Sequence, residues 1–329
     1  MNKSDPRRQG LRKTSAGLVC AVLASILAGM NAQAWTPLDQ TETWTAPGTA
    51  GWSNTVAGVT LTNSAGYLNF AFPSQFTPAF VGGLAKRAVD PGTLLTNIAF
   101  RIAASNTPPS QLTLCLHSRL TGNTWYCPLP APAAGAEIDC EVPVEYTKGW
   151  RMGPLSTPEA FSIDVKTVDW IGLYVRRNGD TTAQSYALDD FRVRGQYWPE
   201  DRDLDGMEND WETRYGFLPD DPRDSTDDPD HDGMSNYAEA RAGTDPTNGA
   251  SVFQVHIQVQ RDSGDSPPRV MVWWNSISNR SYTVRRTDGA GKAFGKVMAG
   301  MASTPGTNVF EDVAATNAAS AFYRVDVDP

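Results

Sequence analysis

Two twelve-residue stretches of the chain carry the same residues at the same spacing. DRDLDGMENDWE begins at Asp201 and DPDHDGMSNYAE begins at Asp228, and they agree at positions 1, 3, 5, 6, 7, 9 and 12. Short Asp side chains at alternate positions direct their oxygens to one point, and Gly at position 6 permits the positive φ that turns the chain around an ion. Glu at position 12 adds two oxygens. Both stretches therefore predict calcium sites.

The pattern assigns the same set of ligands to each predicted calcium ion. Positions 1, 3, 5 and 12 supply carboxylates, position 7 its backbone carbonyl, and position 9 acts through water. The first set is Asp201, Asp203, Asp205, Met207, Asn209 and Glu212, and the second is Asp228, Asp230, Asp232, Met234, Asn236 and Glu239. A solvated acidic linker is the alternative, which the doubled pattern disfavours. Asp220, Asp221, Asp224 and Asp245 are interpreted as turn caps rather than further ligands.

The segment that holds the loops resembles bacterial thrombospondin type 3 repeats and, less closely, dockerin repeats. The resemblance rests on DRDLDGMENDWETRYGFLPDDP and DPDHDGMSNYAEARAGTDP, over about residues 201–247. It implies a calcium-binding spacer of a secreted or cell-surface protein. Dockerins usually carry Asp at position 12, so Glu212 and Glu239 argue against cohesin docking. Short helices are predicted at 207–215 and 234–242, within a calcium-binding segment that spans residues 198–248.

Residues 35–197 alternate short apolar strands with turns, which predicts a β-sandwich. Strands are predicted in LTLCLHSRL, TWYCPL, FSIDV, VDWIGLYVRR and YALDDFRVRG. About residues 43–195 resemble galactose-binding-like jelly rolls, a group that includes many carbohydrate-binding modules. That resemblance implies a non-catalytic domain that binds glycan, often with a structural calcium near its last strand. Asp189 and Asp190 are candidate ligands for this further ion, and an ordinary turn-to-strand pair is the alternative.

One face of the predicted strand VDWIGLYVRR carries Trp170, Tyr174 and Arg176. An exposed aromatic ring can stack on the C–H face of a sugar while a neighbouring charged group binds its hydroxyls. These three residues are therefore the first candidate ligand platform, and Trp125 with Tyr126 is the second. The alternative is that these aromatic side chains fill the core.

Residues 249–329 return to strand patterns and predict a small immunoglobulin-like sandwich. WWNSISNRSYTVRRT and AFYRVDV resemble fibronectin type III-like domains, which are mostly spacers or adhesion units. The resemblance implies that Trp273 or Trp274 is the core tryptophan. The predicted fold class is therefore mainly β, with a jelly roll, a calcium-binding loop-helix segment and a second sandwich.

The first 34 residues have the pattern of a signal peptide. A basic start precedes the apolar run 18–30, and Ala32-Gln33-Ala34 offers a cleavage site. Removing its five bases and one acid leaves a net charge of −13 instead of −9, which excludes nucleic acid as a partner. No membrane span is expected after cleavage.

In an exported protein two of the remaining cysteines can pair, and Cys115 with Cys127 is the first candidate, although the sequence leaves the connectivity open.

Catalysis is not expected from this sequence. The three His residues lack a nucleophile motif, and neither H-E-x-x-H nor a nucleotide-binding P-loop is present, so no nucleotide cofactor is expected. The favoured hypothesis is a secreted or cell-surface protein, a periplasmic location being the alternative, that binds calcium and a carbohydrate or cell-surface ligand. A structural or adhesive spacer and a divergent glycan-active enzyme are the other hypotheses.

Overall fold

The computed structural model describes residues 19–24, 36–54, 59–75, 81–261, 269–289, 291–304, 306–315 and 320–328. The fold is mainly β, with 48% of residues in strands and 12% in helices, which confirms the predicted fold class. The chain divides into an N-terminal unit of residues 32–229 and 235–237, and a C-terminal unit of residues 1–31, 230–234 and 238–329. The domain bounds predicted at residues 34, 197 and 248 stay predictions.

Two antiparallel sheets form the sandwich of the N-terminal unit. Its described strands are β2 (Thr36–Glu42), β3 (Ser53–Asn54), β4 (Thr60–Ser64), β5 (Tyr67–Phe72), β6 (Gly82–Ala88), β7 (Thr93–Ala104), β8 (Gln111–Ser118), β9 (Thr124–Leu129), β10 (Glu137–Pro143), β11 (Val168–Arg176) and β12 (Gln184–Tyr197), while β1 (Val19–Ala24) belongs to the C-terminal unit. One sheet has the order β10-β7-β12-β5-β4, with β2 also paired to β12. The other has the order β3-β6-β11-β8-β9.

The alternation of apolar residues along the strands builds the core between these sheets. On β11 the side chains of Ile171, Leu173 and Val175 are buried, while Trp170, Tyr174 and Arg176, at positions of the opposite face, are only partly covered. The same period of two runs along β7 and β12. Side chains on one face of each sheet therefore enter the core, and the other face is left for solvent or ligand.

One strand predicted in this unit is a helix instead. FSIDV lies in helix α1 (Pro158–Asp164) and the 3-10 turn Val165–Thr167 that follows it. The side chain of Thr157 accepts a hydrogen bond from the N–H of Ala160, and Pro158 occupies the first helical position. This local capping stabilises a helix start and outweighs the alternating pattern of the apolar residues.

Two short helices follow the acidic loops, as the sequence predicts. Helix α2 (Asn209–Tyr215) and helix α3 (Asn236–Ala242) end where they were expected to end. Each begins at loop position 9 rather than position 7, because the backbone at positions 7 and 8 still belongs to the loop. A 3-10 turn, Asp224–Thr226, lies between them in the chain.

A second, smaller sandwich forms the C-terminal unit. Its strands are β1, β13 (Val255–Gln260), β14 (Arg269–Ser276), β15 (Ser281–Thr287), β16 (Gly295–Ala302), β17 (Gly306–Asp312) and β18 (Ser320–Asp328), in sheets ordered β13-β14-β17 and β1-β18-β15-β16. Trp274 is fully buried and packs against Tyr282, so it is the core tryptophan. Trp273 points to the opposite face of β14 and stacks on His256.

Most of the predicted signal peptide lies outside the described residues. Within it, Val19–Ala24 is an extended segment, β1, that pairs in parallel with β18. Cleavage of residues 1–34 stays a prediction. Among the described helices none combines the length and the apolar character needed to cross a bilayer.

Candidate functional site

The sheet β3-β6-β11-β8-β9 presents an aromatic surface on the side away from the core. Trp170, Tyr174 and Arg176 alternate along β11 with the buried core residues and therefore point outward. Residues that face each other across antiparallel strands share a side, so the partners of Trp170, which are His117 on β8 and Ala88 on β6, point outward too. We call this surface the aromatic face. The alternative that Trp170 fills the core is wrong.

Trp170 is held in place by two neighbours on the aromatic face. The ring of His117 stacks on it, with centroids 4.9 Å apart and an interplanar angle of 8°. The ammonium group of Lys86 lies 5.1 Å from the centroid of the indole ring. His117 is itself oriented by Asp169, whose Oδ1 lies 2.6 Å from Nδ1. The indole is therefore fixed on the sheet before any ligand arrives.

Two glycines on this sheet leave space that neighbouring side chains occupy. A Cβ on Gly172 would stand 2.9 Å from Cζ3 of Trp170 and 2.8 Å from Cδ1 of Leu84. A Cβ on Gly82 would overlap the hydroxyl end of Tyr174. The space above each glycine is thus filled by a neighbouring side chain, and in both cases an aromatic ring takes part of it.

The second candidate platform residue, Trp125, is not available to a ligand. Its side chain is 1% exposed, and its Nε1 donates a hydrogen bond of 2.7 Å to Asp164. The prediction for Trp125 is wrong because its side of β9 faces the core. Tyr126, the next residue, points to the aromatic face and is 47% exposed.

The predicted disulfide between Cys115 and Cys127 does not form. Cys115 faces Tyr126 across the two strands, whereas Cys127 faces Leu114, so the two thiols lie on opposite sides of one sheet. Cys115, Cys127 and Cys140 are free and buried. Burial raises the pKa of Cys115 to about 12 and that of Cys140 to about 11.

The first acidic loop folds around its own carboxylates. Asp201 accepts hydrogen bonds from the N–H groups of Asp205 at 3.2 Å and Gly206 at 2.9 Å. Oδ1 of Asp205 accepts one from the N–H of Met207 at 2.8 Å. Gly206 has φ of +95°, the left-handed conformation that the motif requires of position 6. The loop thereby brings ligand oxygens of Asp201, Asp203 and Asp205 within 4.8 Å of one another.

Several carboxylate oxygens of this loop are buried without a hydrogen-bond partner in the structure. Asp203 and Glu212 are fully buried, and both oxygens of each lack a donor. Burial, reinforced by the neighbouring carboxylates, raises the pKa of Asp203 to about 9 and that of Glu212 to about 8. Orphaned charged oxygens at this depth cost several kcal/mol unless a cation binds them. The residues therefore fit a hard, oxygen-seeking cation such as calcium.

Asp224 joins the first loop, although the sequence favoured a turn cap. Ligand oxygens of Asp205, Glu212 and Asp224 lie within 4.8 Å of one another. One oxygen of Asp224 does cap, since it accepts a hydrogen bond from the N–H of Leu218, while Oδ1 has no partner in the structure. Asn209 is engaged with the backbone instead, donating to Pro199 and accepting from the N–H of Arg202.

The second loop repeats the backbone of the first. Position 4 has φ of +61° at Leu204 and +62° at His231, and position 6 has φ of +95° and +94° in the two loops. Oδ1 of Asp232 accepts from the N–H of Met234 at 2.8 Å, as its counterpart does in the first loop. Along this one continuous loop, ligand oxygens of Asp228, Asp230 and Asp232 lie within 4.8 Å of one another. Asn236 and Glu239, the residues at positions 9 and 12, are fully buried.

Asp189 and Asp190 do not form the further calcium site considered from the sequence. The guanidinium of Arg101 lies 2.6 Å from Asp189 and 2.7 Å from Asp190. A guanidinium at this position supplies the positive charge and would repel a calcium ion. Both residues sit where the pairing of β12 with β7 is interrupted, and Asp190 has φ of +47°. Asp189 and Asp190 therefore form ion pairs with Arg101 at an irregularity in the strand.

The first loop is fastened to the sandwich of its own unit. The carbonyl of Arg202 accepts hydrogen bonds from the N–H of Gly92 at 2.9 Å and from the side chain of Arg119 at 2.7 Å. Arg119 also pairs with Asp220 at 3.0 Å. Sequence reasoning missed this link, as it missed Lys86 and His117 on the aromatic face, because each depends on strand pairing between distant parts of the chain.

No protein-family model matches the chain, and no curated protein sequence matches it. Solved structures with a similar fold include a family 11 carbohydrate-binding module from Clostridium thermocellum, in complex with a β-1,3-1,4-mixed-linked tetrasaccharide. It is 11% identical, with a TM-score of 0.34, and the match covers 47% of this chain and 94% of that one.

Two further structures show the same kind of likeness. The N-terminal cellulose-binding domain of β-1,4-glucanase C from Cellulomonas fimi is 17% identical with a TM-score of 0.29, covering 46% of this chain and 93% of that one. The agarase AgWH50C is 15% identical with a TM-score of 0.34, covering 49% of this chain but only 24% of the agarase.

Proposed function

We propose that the protein is an exported, non-catalytic carbohydrate-binding protein whose ligand lies on the aromatic face. The observation that carries this proposal is the placement of Trp170 and Tyr174. Both rings lie on the outward side of one sheet, partly exposed, over positions where glycine leaves room for them. The exposed part of a pre-positioned ring offers contact area to the C–H face of a sugar without an ordering cost on binding.

Polar groups around the rings supply the complementary half of a sugar site. Gln111 and Arg176 are paired across β8 and β11, and His117 with Lys86 flanks the indole. Sugar hydroxyls accept and donate hydrogen bonds, so such groups fix the orientation of a ring that stacking alone leaves free to slide.

Calcium is the second part of the proposal. The first loop binds one ion through Asp201, Asp203, Asp205, the carbonyl of Met207 and Glu212, and the second loop binds another through the equivalent residues. The buried, partnerless oxygens of Asp203 and Glu212 support this assignment. The ions neutralise charge that would otherwise oppose folding, and they take no part in a reaction. The likeness of the segment to thrombospondin type 3 repeats belongs to this proposal.

The test compares two tryptophan variants of the full chain on a panel of polysaccharides. Trp170→Ala removes the indole of the aromatic face, and Trp273→Ala removes an indole that also stacks on a cross-strand His, at 5.3 Å, in the C-terminal unit. Covering about 80 Å² of indole is worth about 2 kcal/mol, or roughly a thirtyfold change in affinity. Affinity electrophoresis in mixed-linkage β-glucan, xylan, agarose and polygalacturonate measures it.

The expected result is binding to a member of the panel that Trp170→Ala weakens and Trp273→Ala leaves unchanged. Equal loss in both variants would show that the effect is not specific to the aromatic face. Binding that neither substitution changes would place the ligand elsewhere and contradict the proposal.

A further inference from the structure

We infer that the aromatic face selects anionic polysaccharides, those that carry carboxylate or sulfate groups, over neutral ones. This inference rests on the proposed carbohydrate-binding function and specifies its ligand class. It follows from the charged residues that the strand register places on this face. They are basic, whereas the chain as a whole has an excess of acidic residues. The chain has 37 acidic and 28 basic residues.

The outward positions of the five strands can be assigned from the register. They are Ser53 on β3; Gly82, Leu84, Lys86 and Ala88 on β6; Trp170, Gly172, Tyr174 and Arg176 on β11; Gln111, Thr113, Cys115 and His117 on β8; and Thr124, Tyr126 and Pro128 on β9. None of these described positions is Asp or Glu, whereas two are permanent cations. Asp169, at the irregular start of β11, is the nearby carboxylate, and it is engaged by His117.

The opposite sheet of the same unit shows what an ordinary face of this protein carries. There Arg101 pairs with Asp189, Asp190 and Glu137 at 2.6 to 3.3 Å. Arg194 lies 3.7 Å from Glu141. Arginines on that sheet are therefore paired with carboxylates of the same surface, whereas no ion pair among the described residues joins Lys86 of the aromatic face to a carboxylate.

Lys86 is the group best placed to recognise an anion. Its ammonium lies over the indole of Trp170, 5.1 Å from the ring centroid, and among the described residues no ion pair joins it to a carboxylate. A sugar that packs against the exposed part of the indole would present its ring substituents beside this ammonium. A carboxylate or sulfate there would form a charge-assisted hydrogen bond, whereas a hydroxyl would form a weaker neutral one.

The face also lacks the groups that favour a neutral sugar. Carboxylates are strong acceptors for sugar hydroxyls, and none of the described outward strand positions supplies one. The neutral polar groups of these positions are the amide of Gln111 and the hydroxyls of Ser53, Thr124, Tyr126 and Tyr174, since Thr113 is buried. A surface of aromatic rings and cations, whose nearby carboxylate Asp169 is engaged by His117, therefore complements a polymer with regularly spaced negative charges.

The experiment measures the affinity of the full chain for matched pairs of polymers. Polygalacturonate is compared with its methyl-esterified form, and a sulfated galactan with agarose, while double-stranded DNA serves as a polyanion without exposed sugar faces. Lys86→Gln is compared with Lys148→Gln, an exposed lysine outside this sheet. The charged member of a pair is expected to bind roughly tenfold tighter, and Lys86→Gln removes most of that ratio while Lys148→Gln preserves it.

The outcomes separate this inference from the proposed function. The inference is supported if the protein prefers the charged polymer, if that preference weakens between about 0.02 M and about 0.5 M salt, and if it requires both Lys86 and Trp170. The pair of polymers in which the preference is larger shows whether carboxylate or sulfate is recognised. Equal binding of charged and neutral members overturns the inference but leaves carbohydrate binding standing. Binding to no polysaccharide overturns both. Binding to DNA that equals polysaccharide binding and survives Trp170→Ala overturns the inference in favour of a non-specific cationic surface.

Discussion

Calcium should stabilise the N-terminal unit, and the single substitution Glu212→Gln should remove most of that stabilisation. Glu212 is fully buried with both oxygens partnerless, and its pKa is raised to about 8. In chelator at neutral pH, folding must therefore either protonate it or bury its charge unpaired, and both cost free energy. In calcium the same charge closes the coordination shell with two oxygens. Glu212→Gln removes the charge but keeps the shape. The variant should therefore be at least as stable as the native protein in chelator and less stable in calcium.

The size of the calcium effect can be estimated from mass action. Calcium sites of extracellular modules have Kd of about 10⁻⁴ to 10⁻³ M. At about 10 mM calcium the first site then stabilises the unit by about 1.4 to 2.7 kcal/mol. For a domain of this size that corresponds to a rise of roughly 3 to 11 °C in Tm. The stabilisation reaches the sandwich because the carbonyl of Arg202 is bonded to Gly92 and Arg119.

Calorimetry of the full chain in EGTA, calcium and magnesium provides the measurement. Glu208→Gln is the matched control, since Glu208 is an exposed neighbour whose side chain makes no cap hydrogen bond to the helix. Native protein and Glu208→Gln should show the full calcium shift, and Glu212→Gln little of it. Magnesium should substitute poorly because it demands a smaller octahedral shell. An equal shift in all three proteins, or equal effects of both cations, would refute a specific site at Glu212.

Three further substitutions or treatments test the sandwich itself. Gly172→Ala should weaken polysaccharide binding about tenfold, because the new methyl group would displace the indole of Trp170. The far-UV circular dichroism spectrum should be unchanged. Gly295→Ala is the control and should have no effect on binding, since a Cβ there would lie 3.9 Å from its nearest neighbour. Cys115, 1% exposed with its pKa raised to about 12, should react with a disulfide reagent only on unfolding, so prompt labelling detected by mass spectrometry would contradict its burial. Asp164→Asn should lower the free energy of unfolding, measured in urea, by about 2 to 3 kcal/mol. The buried carboxylate accepts three side-chain hydrogen bonds, and an amide would point a donor at one of the three donors. A change below about 0.5 kcal/mol would contradict this prediction.

The acidic loops were predictable because their chemistry is local. Ligand spacing, the left-handed glycine and the start of the helix that follows are all determined within twelve residues, and the structure gives both copies nearly the same φ at positions 4 and 6. Asp224 was not predictable in the same way. It approaches Glu212 only because the chain between them folds back, a feature that no spacing rule encodes.

The sandwich was predictable in its alternation but not in the sidedness of every strand. β9 carries Trp125 and Tyr126 on opposite faces. Because each face of the strand carries an aromatic residue, the sequence pattern does not show which face is buried. The same ambiguity misled the disulfide prediction, since Cys115 and Cys127 flank one turn yet differ in their side of the sheet. β11 was unambiguous because three branched residues at alternate positions, Ile171, Leu173 and Val175, mark its core side.

The link through Arg119 changes how the first acidic loop should be understood. The sequence suggests a metal-stiffened spacer, but the loop carbonyl of Arg202 is bonded to Arg119, which directly follows β8. Two residues earlier in the chain, His117 stacks on Trp170 and so orients the aromatic face. Any force that orders the loop therefore also restrains the end of the strand that supports the indole. The loop that we propose binds calcium thus belongs to the architecture of the proposed ligand site, since one strand serves both.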